Sequence, residues 1–111
     1  MKNELLIELM KMALAPDAKQ EQSSNAHPYE VGKNYHVRTV TMAIAGRLKA
    51  VYDKELVFEN ASWVADSGRF HEYLKDTSKL AENETFVNDV IVGRGAIVDA
   101  TEIAEVYSKV K

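Results

Sequence analysis

From Tyr35 onward, β-branched and aromatic residues recur in short runs broken by glycine, and this texture limits the chain to short strands with tight bends. Tyr35 to Ile44 reads as a strand, followed by a turn at Ala45-Gly46 and a second strand over Arg47 to Tyr52. Asp53-Lys54-Glu55 makes a polar turn into a third strand, Leu56 to Glu59, which Trp63 and Val64 extend. Asp66 or Ser67 is placed to cap a short helix over Arg69 to Lys75, with Phe70 and Leu74 on one face. Asp76 to Thr85 is polar and reads as a loop, and Asp89 to Val92 and Ala96 to Ala100 are two more strands around Gly93-Arg94-Gly95.

Both ends have a different periodicity. Asn3 caps a helix running to about Leu14, with Leu5, Leu6, Leu9, Met10 and Leu14 at helical spacing, and Pro16 stops it. Ile103, Val106, Tyr107 and Val110 fit a C-terminal helix capped at Thr101. The expectation is therefore α+β: an N-terminal helix (1–15), a polar linker (16–30) and a small, strongly bent, five-stranded β-barrel domain (31–111) with a helical insertion near 67–75 and a terminal helix. A three-turn amphipathic helix, exposed strand edges and a small core all need covering, which predicts a homo-oligomer.

Composition removes several function classes. Cysteine is absent, so disulfides, thiolate chemistry and cysteine-held metals are excluded together. The longest N-terminal apolar stretch, Leu5 to Leu14, is interrupted by Glu8 and Lys11, so neither a secretory signal nor a membrane span is expected and the compartment is read as cytoplasmic. A formal charge of −3 argues against coating nucleic acid through bulk electrostatics. His27, His36 and His71 share no metal-ligand spacing, Gly93-x-Gly95 lacks the third glycine of a dinucleotide fold, and no Gly-Lys-Ser/Thr phosphate loop occurs. Asp66, Asp89 and Asp99 are isolated acids and read as caps or salt-bridge partners, so no catalysis, cofactor or metal is expected.

All four arginines, Arg38, Arg47, Arg69 and Arg94, fall in the central stretch, while lysine is the only formal cation of the two tails. The guanidinium fork suits phosphate or carboxylate, so an anion site is one reading and four unrelated surface cations the other. Glycines beside Arg94 let it project from a strand end, where it serves a plain hairpin or an anion contact. Trp63, the one tryptophan, is a core or interface anchor or a stacking platform for a base, with His71 and Tyr73 as alternatives.

Gly46-Arg47-Leu48, Val51-Tyr52-Asp53 and Leu56 to Asn60 resemble the first signature of Sm-like proteins, and Val90 to Val98, with its Arg94-Gly95 turn, resembles the second. The resemblance implies a bent barrel, rings built by strand pairing, and nucleotide binding by loops holding Asp53 and Arg94-Gly95. The asparagine that Sm proteins carry shortly after the loop aspartate is missing, because Lys54, Glu55, Leu56 and Val57 occupy that stretch. Val31 to Tyr35, Arg38 to Met42, Ala65 to Phe70 and Val92 to Ala100 also resemble a small family of bacteriophage and prophage proteins. That resemblance implies a phage origin and makes sequestration of a nucleotide immune messenger the leading expectation. In it Arg94 contacts phosphate, Arg38, Arg47 or Arg69 adds charge, and Trp63, Tyr52 or His71 stacks on a base. RNA binding by a ring, or a structural or protein-interaction module, are the alternatives.

Overall fold

The computed structural model describes residues 27–111. Six strands and one helix follow in order: β1 (Asn34–Thr39), β2 (Ala43–Val51), β3 (Glu55–Asp66), α1 (Phe70–Lys75), β4 (Glu82–Thr85), β5 (Val90–Gly93) and β6 (Ile97–Ile103). Every pairing is antiparallel. They make one open sheet in the order β4-β3-β2-β1-β6, with β5 also on β3.

The first hairpin is made by Thr39. Its N–H donates to the Met42 carbonyl at 2.7 Å, and its hydroxyl donates to the same oxygen at 2.9 Å and accepts from the Met42 N–H at 3.1 Å. The chain therefore reverses over Val40–Met42, and β2 runs straight through Ala45-Gly46, where the sequence suggests a turn. Gly46 has another purpose there. A Cβ at this position would lie 2.9 Å from the Phe58 Cβ and 3.0 Å from the Ala61 Cβ, so the bare backbone lets β2 lie close to β3. Opposite it β3 carries an extra residue, since Ala45 pairs with Ser62 but Arg47 with Glu59. Asn60 absorbs the irregularity at φ 49, a left-handed conformation that asparagine tolerates better than most residues. The first part of β3 then pairs with β5 (Glu55 to Phe58) and the last part with β4 (Ser62 to Asp66).

Both faces of the sheet are covered. Tyr35, His36 and Val37 are consecutive in β1 and all buried, which a strand achieves only when each side has its own core. Tyr35 and Val37 join Ile44, Leu48, Leu56, Phe58 and Val92 in the larger cluster. The smaller one contains Ala45, Val64, Tyr73, Leu80 and Ile103, with Val106 and Tyr107 packed against it. Residues of α1, of the segment after it and of the C-terminal stretch thus cover the second face.

The α+β expectation of an Sm-like five-stranded barrel between two terminal helices is corrected by this architecture, which is mostly sheet, open and six-stranded. The extra strand, β4, lies within the expected polar loop, and its pairing with β3 outweighs the weak strand preference of Glu82-Asn83-Glu84-Thr85. No C-terminal helix forms. Ile103 continues β6 opposite Asn34, and the chain beyond it reaches β4, where Lys111 and Asn83 exchange backbone hydrogen bonds at 3.2 and 3.3 Å. The helical spacing of Ile103, Val106 and Tyr107 instead reflects apolar contacts along the covered face. The expected N-terminal helix (1–15) lies outside the described residues, as does most of the linker (16–30). At α1, the Asp66 carboxylate accepts from the Gly68 N–H at 2.8 Å and shapes the preceding turn, while the cap position is Arg69, with no side-chain bond.

Candidate functional site

β1 directs His36 and Arg38 to the face that carries α1, because side chains two residues apart share a side. The end of β3 brings Val64, Ala65 and Asp66 alongside, Ser67 follows, and Phe70 opens the helix. With Ala43 these residues line a groove of about 390 Å³.

Arg38 is held in a fixed pose. It stands in register with Asp99 of β6, its Nε donates to both Asp99 carboxylate oxygens at 2.8 and 3.0 Å, and an Nη donates to Oδ2 as well. The guanidinium carbon is 5.3 Å from the centre of the Phe70 ring. Arginine carries five N–H donors, so this grip leaves others facing outward on a side chain that is 52% exposed. The hydrogen bond from Arg38 holds the Asp99 carboxyl below its ordinary value, so both partners stay charged.

Beneath them His36 is buried, and its Nδ1 lies 2.9 Å from the hydroxyl of Tyr73, which is also buried. The two rings meet edge to face with centroids 5.1 Å apart, and Phe70 is 5.3 Å from His36. Burial, helped by the Arg38 charge and opposed by Asp99, pulls the His36 pKa down to about 4. Burial pushes Tyr73 up to about 12. Around neutral pH the groove therefore combines one fixed cation, a neutral imidazole, an aromatic face, the Ser67 hydroxyl and the Asp66 carboxylate.

No protein-family model matches this chain, and no curated protein or solved structure does.

The residues nominated from sequence separate into groups. Arg94, Gly95, Tyr52 and Asp53 meet at the β2–β3 turn, where an Arg94 Nη donates to the Tyr52 carbonyl at 2.8 Å and the Asp53 carbonyl at 3.4 Å. The Arg94 N–H donates to the Lys54 carbonyl at 2.8 Å and its guanidinium lies 5.7 Å from the Tyr29 ring centre, so this arginine packs against the turn. Arg47 lies 3.6 Å from the Glu59 carboxylate. Arg69 and His71 are exposed and flank Phe70 in the chain, which puts them next to the groove. Trp63 faces the other side, since it pairs with Ile44 whereas Val64 pairs with Ala43. There it lines an apolar hollow of about 250 Å³ with Met42 and Phe86.

Of the nominated set, only Arg38 lines the groove. In the sequence Phe70 fits a helix-packing face, His36 lacks metal-ligand spacing and Asp99 stands as an isolated acid. The i,i+2 relation of His36 and Arg38 was the one local signal that both share a face. Among the described residues no group of three metal-ligating side chains comes together, and no helix is long and apolar enough to cross a membrane.

Proposed function

We propose that this chain is a non-enzymatic binding protein that captures a small anionic ligand of nucleotide type in the groove between β1, the end of β3 and α1. The observation that carries it is Arg38, fixed by Asp99 and laid over Phe70 at the edge of the groove. A guanidinium already oriented loses little side-chain freedom on meeting phosphate, and an aromatic face beside it accepts a base. The phage resemblance favours an immune messenger as that ligand and the host cytoplasm as the compartment.

The test is a thermal-shift screen of the purified chain against cyclic nucleotides and adenosine-ribose messengers, followed by recovery of the ligand after denaturation. A ligand at a hundred times its Kd stabilises the fold by about 2.7 kcal/mol. Arg38→Ala is expected to weaken binding about ten- to a hundredfold, the loss of a charge-assisted contact. Chemical conversion of the ligand with turnover, or undiminished affinity in Arg38→Ala, would sink the proposal. RNA, the alternative ligand, would show a steep loss of affinity with salt.

A second reading, self-association, is favoured by a separate observation. Val40 and Val87, 76% and 96% exposed, are close in the chain to Met42 and Phe86, which line the hollow beside Trp63. Exposed valines adjoining in the chain the residues of an apolar hollow suit burial against a second copy. Sedimentation at micromolar concentration is expected to show an assembly that Trp63→Glu dissociates. A 12.4 kDa monomer alone would end this reading.

A further inference from the structure

Tyr73 is 0% exposed, and its hydroxyl makes one hydrogen bond among the described residues, to His36 Nδ1. Two proton arrangements fit that contact. If Nδ1 carried the ring proton, it would donate to the hydroxyl, and the hydroxyl's own proton would be buried with no acceptor. An unsatisfied buried donor costs about 1–3 kcal/mol, enough to decide between tautomers that otherwise differ little. With the hydroxyl donating instead, Nδ1 accepts and the ring proton sits on Nε2. Burial pushes Tyr73 up to about 12 and His36 down to about 4, so near neutral pH the tyrosine keeps its proton and the imidazole is neutral.

His36 Nε2 makes no hydrogen bond among the described residues, and its side chain, only 2% exposed, lines the floor of the groove. Arg38 lines the groove with it, as does Asp66, whose one hydrogen bond among the described residues is accepted by Oδ1 from the Gly68 N–H. One part of the groove thus donates and another accepts.

We propose that Tyr73 is a positioning residue that fixes His36 as an Nε2–H donor, so that the groove selects a ribose phosphate. Its phosphate oxygens meet His36 and Arg38, and a sugar hydroxyl donates to Asp66. The inference rests on the groove being the ligand site and adds which part of the ligand is read, and by what.

Nitrogen-15 spectroscopy of the histidine rings in the full chain tests it, with ribose 5-phosphate and adenosine monophosphate as probes and ribose as the phosphate-free comparison. The expected spectrum shows His36 Nε2 protonated and Nδ1 unprotonated from pH 5.5 to 8. Both phosphate probes are expected to shift His36 Nε2 and Arg38 Nε, and ribose neither. In Tyr73→Phe the Nε2–H form is expected to lose its dominance and affinity for adenosine monophosphate to fall about three- to tenfold, the size of one net hydrogen bond. A parent protein with Nε2 unprotonated overturns the inference, as does a Tyr73→Phe variant that keeps both tautomer and affinity. If the probes shift Arg38 but leave His36 Nε2 unmoved, the groove binds ligand and the role given to His36 is wrong. If they shift neither, the groove fails as the site and this inference fails with it. Should Tyr73→Phe not fold, the tautomer of the parent and its response to the phosphate probes decide the matter alone.

Discussion

Gly46 and His36 show how much of this fold is set by single positions. Adding one methyl at Gly46 forces a Cβ within 2.9 Å of one neighbour and 3.0 Å of another, inside a bulged strand pair with little room to yield. Gly46→Ala is expected to destabilise the protein by about 1–3 kcal/mol in urea unfolding, the usual cost of overpacking. Gly95→Ala is the control. A Cβ there meets nothing within 4 Å, so a change below about 0.5 kcal/mol is expected of a substitution in open surface space. Equal losses for the two variants would contradict the packing explanation.

His36 makes stability depend on pH in a definite direction. Its folded pKa, about 4, lies below the ordinary 6.5, so between these values the unfolded chain binds more protons than the folded one. The associated stability is complete above pH 6.5 and is lost as pH falls toward 4, on the order of 2–3 kcal/mol in all. Arg38 on the same strand, Asp99 on β6, and Phe70 and Tyr73 on α1 stand around the ring, and Asp66 at the end of β3 lines the same groove. Of these Asp99 has a lowered pKa and adds its own loss at the acid end of the range. Urea unfolding at pH 7 and 4.5 is therefore expected to show a drop that is smaller in His36→Met. An equal drop in both would place the effect on the carboxylates.

Among the elements, the link between β5 and β6 is the one whose role changes most between sequence and structure. A guanidinium in a glycine-flanked turn looks like an outward-pointing hand, yet Arg94 lies against the β2–β3 turn and donates to its carbonyls. Arg94→Ala is expected to cost about 0.5–1.5 kcal/mol, the net worth of the hydrogen bond to the part-buried Tyr52 carbonyl. It is also expected to speed exchange of the backbone amide at position 94, which donates to the Lys54 carbonyl, with affinity for a groove ligand little changed in the folded fraction. A fully stable variant with weakened ligand binding would move the site to this turn. Strand existence was otherwise readable wherever apolar and β-branched residues cluster, as in β3, β5 and β6, whereas the expected single strand over Tyr35 to Ile44 is in fact β1, the reversal at Val40–Met42 and the start of β2. It was not readable in β4, whose four residues are polar and gain their conformation from β3. Nor could Ala45-Gly46 be recognised as strand interior, because a glycine serving close packing looks in sequence like one serving a turn.

For the whole molecule, the decisive unread feature is that the sheet is covered on both faces. Two-sided burial erases the alternation by which a strand discloses its inner side: Tyr35-His36-Val37 gives no sign which residue faces which core. It also hides the groove, which exists only where α1 and the end of β3 cross the second face. Arg38 could be nominated for its chemistry, but its partner Asp99 is 61 residues away and is brought beside it by β1–β6 pairing alone.

That pairing also dictates when the protein becomes competent. Contacts between distant parts of a chain carry the largest closure entropy and tend to form late. β1 and β6 join Asn34 to Ile103, so during synthesis the ribosome must release almost everything described here before Arg38 meets Asp99. A nascent chain lacking β6 has the histidine, the tyrosine and the arginine, but not the Asp99 carboxylate that holds Arg38. The anchored pose of Arg38 is thus acquired at the last step of folding, and in a half-made copy that guanidinium has no carboxylate to hold it.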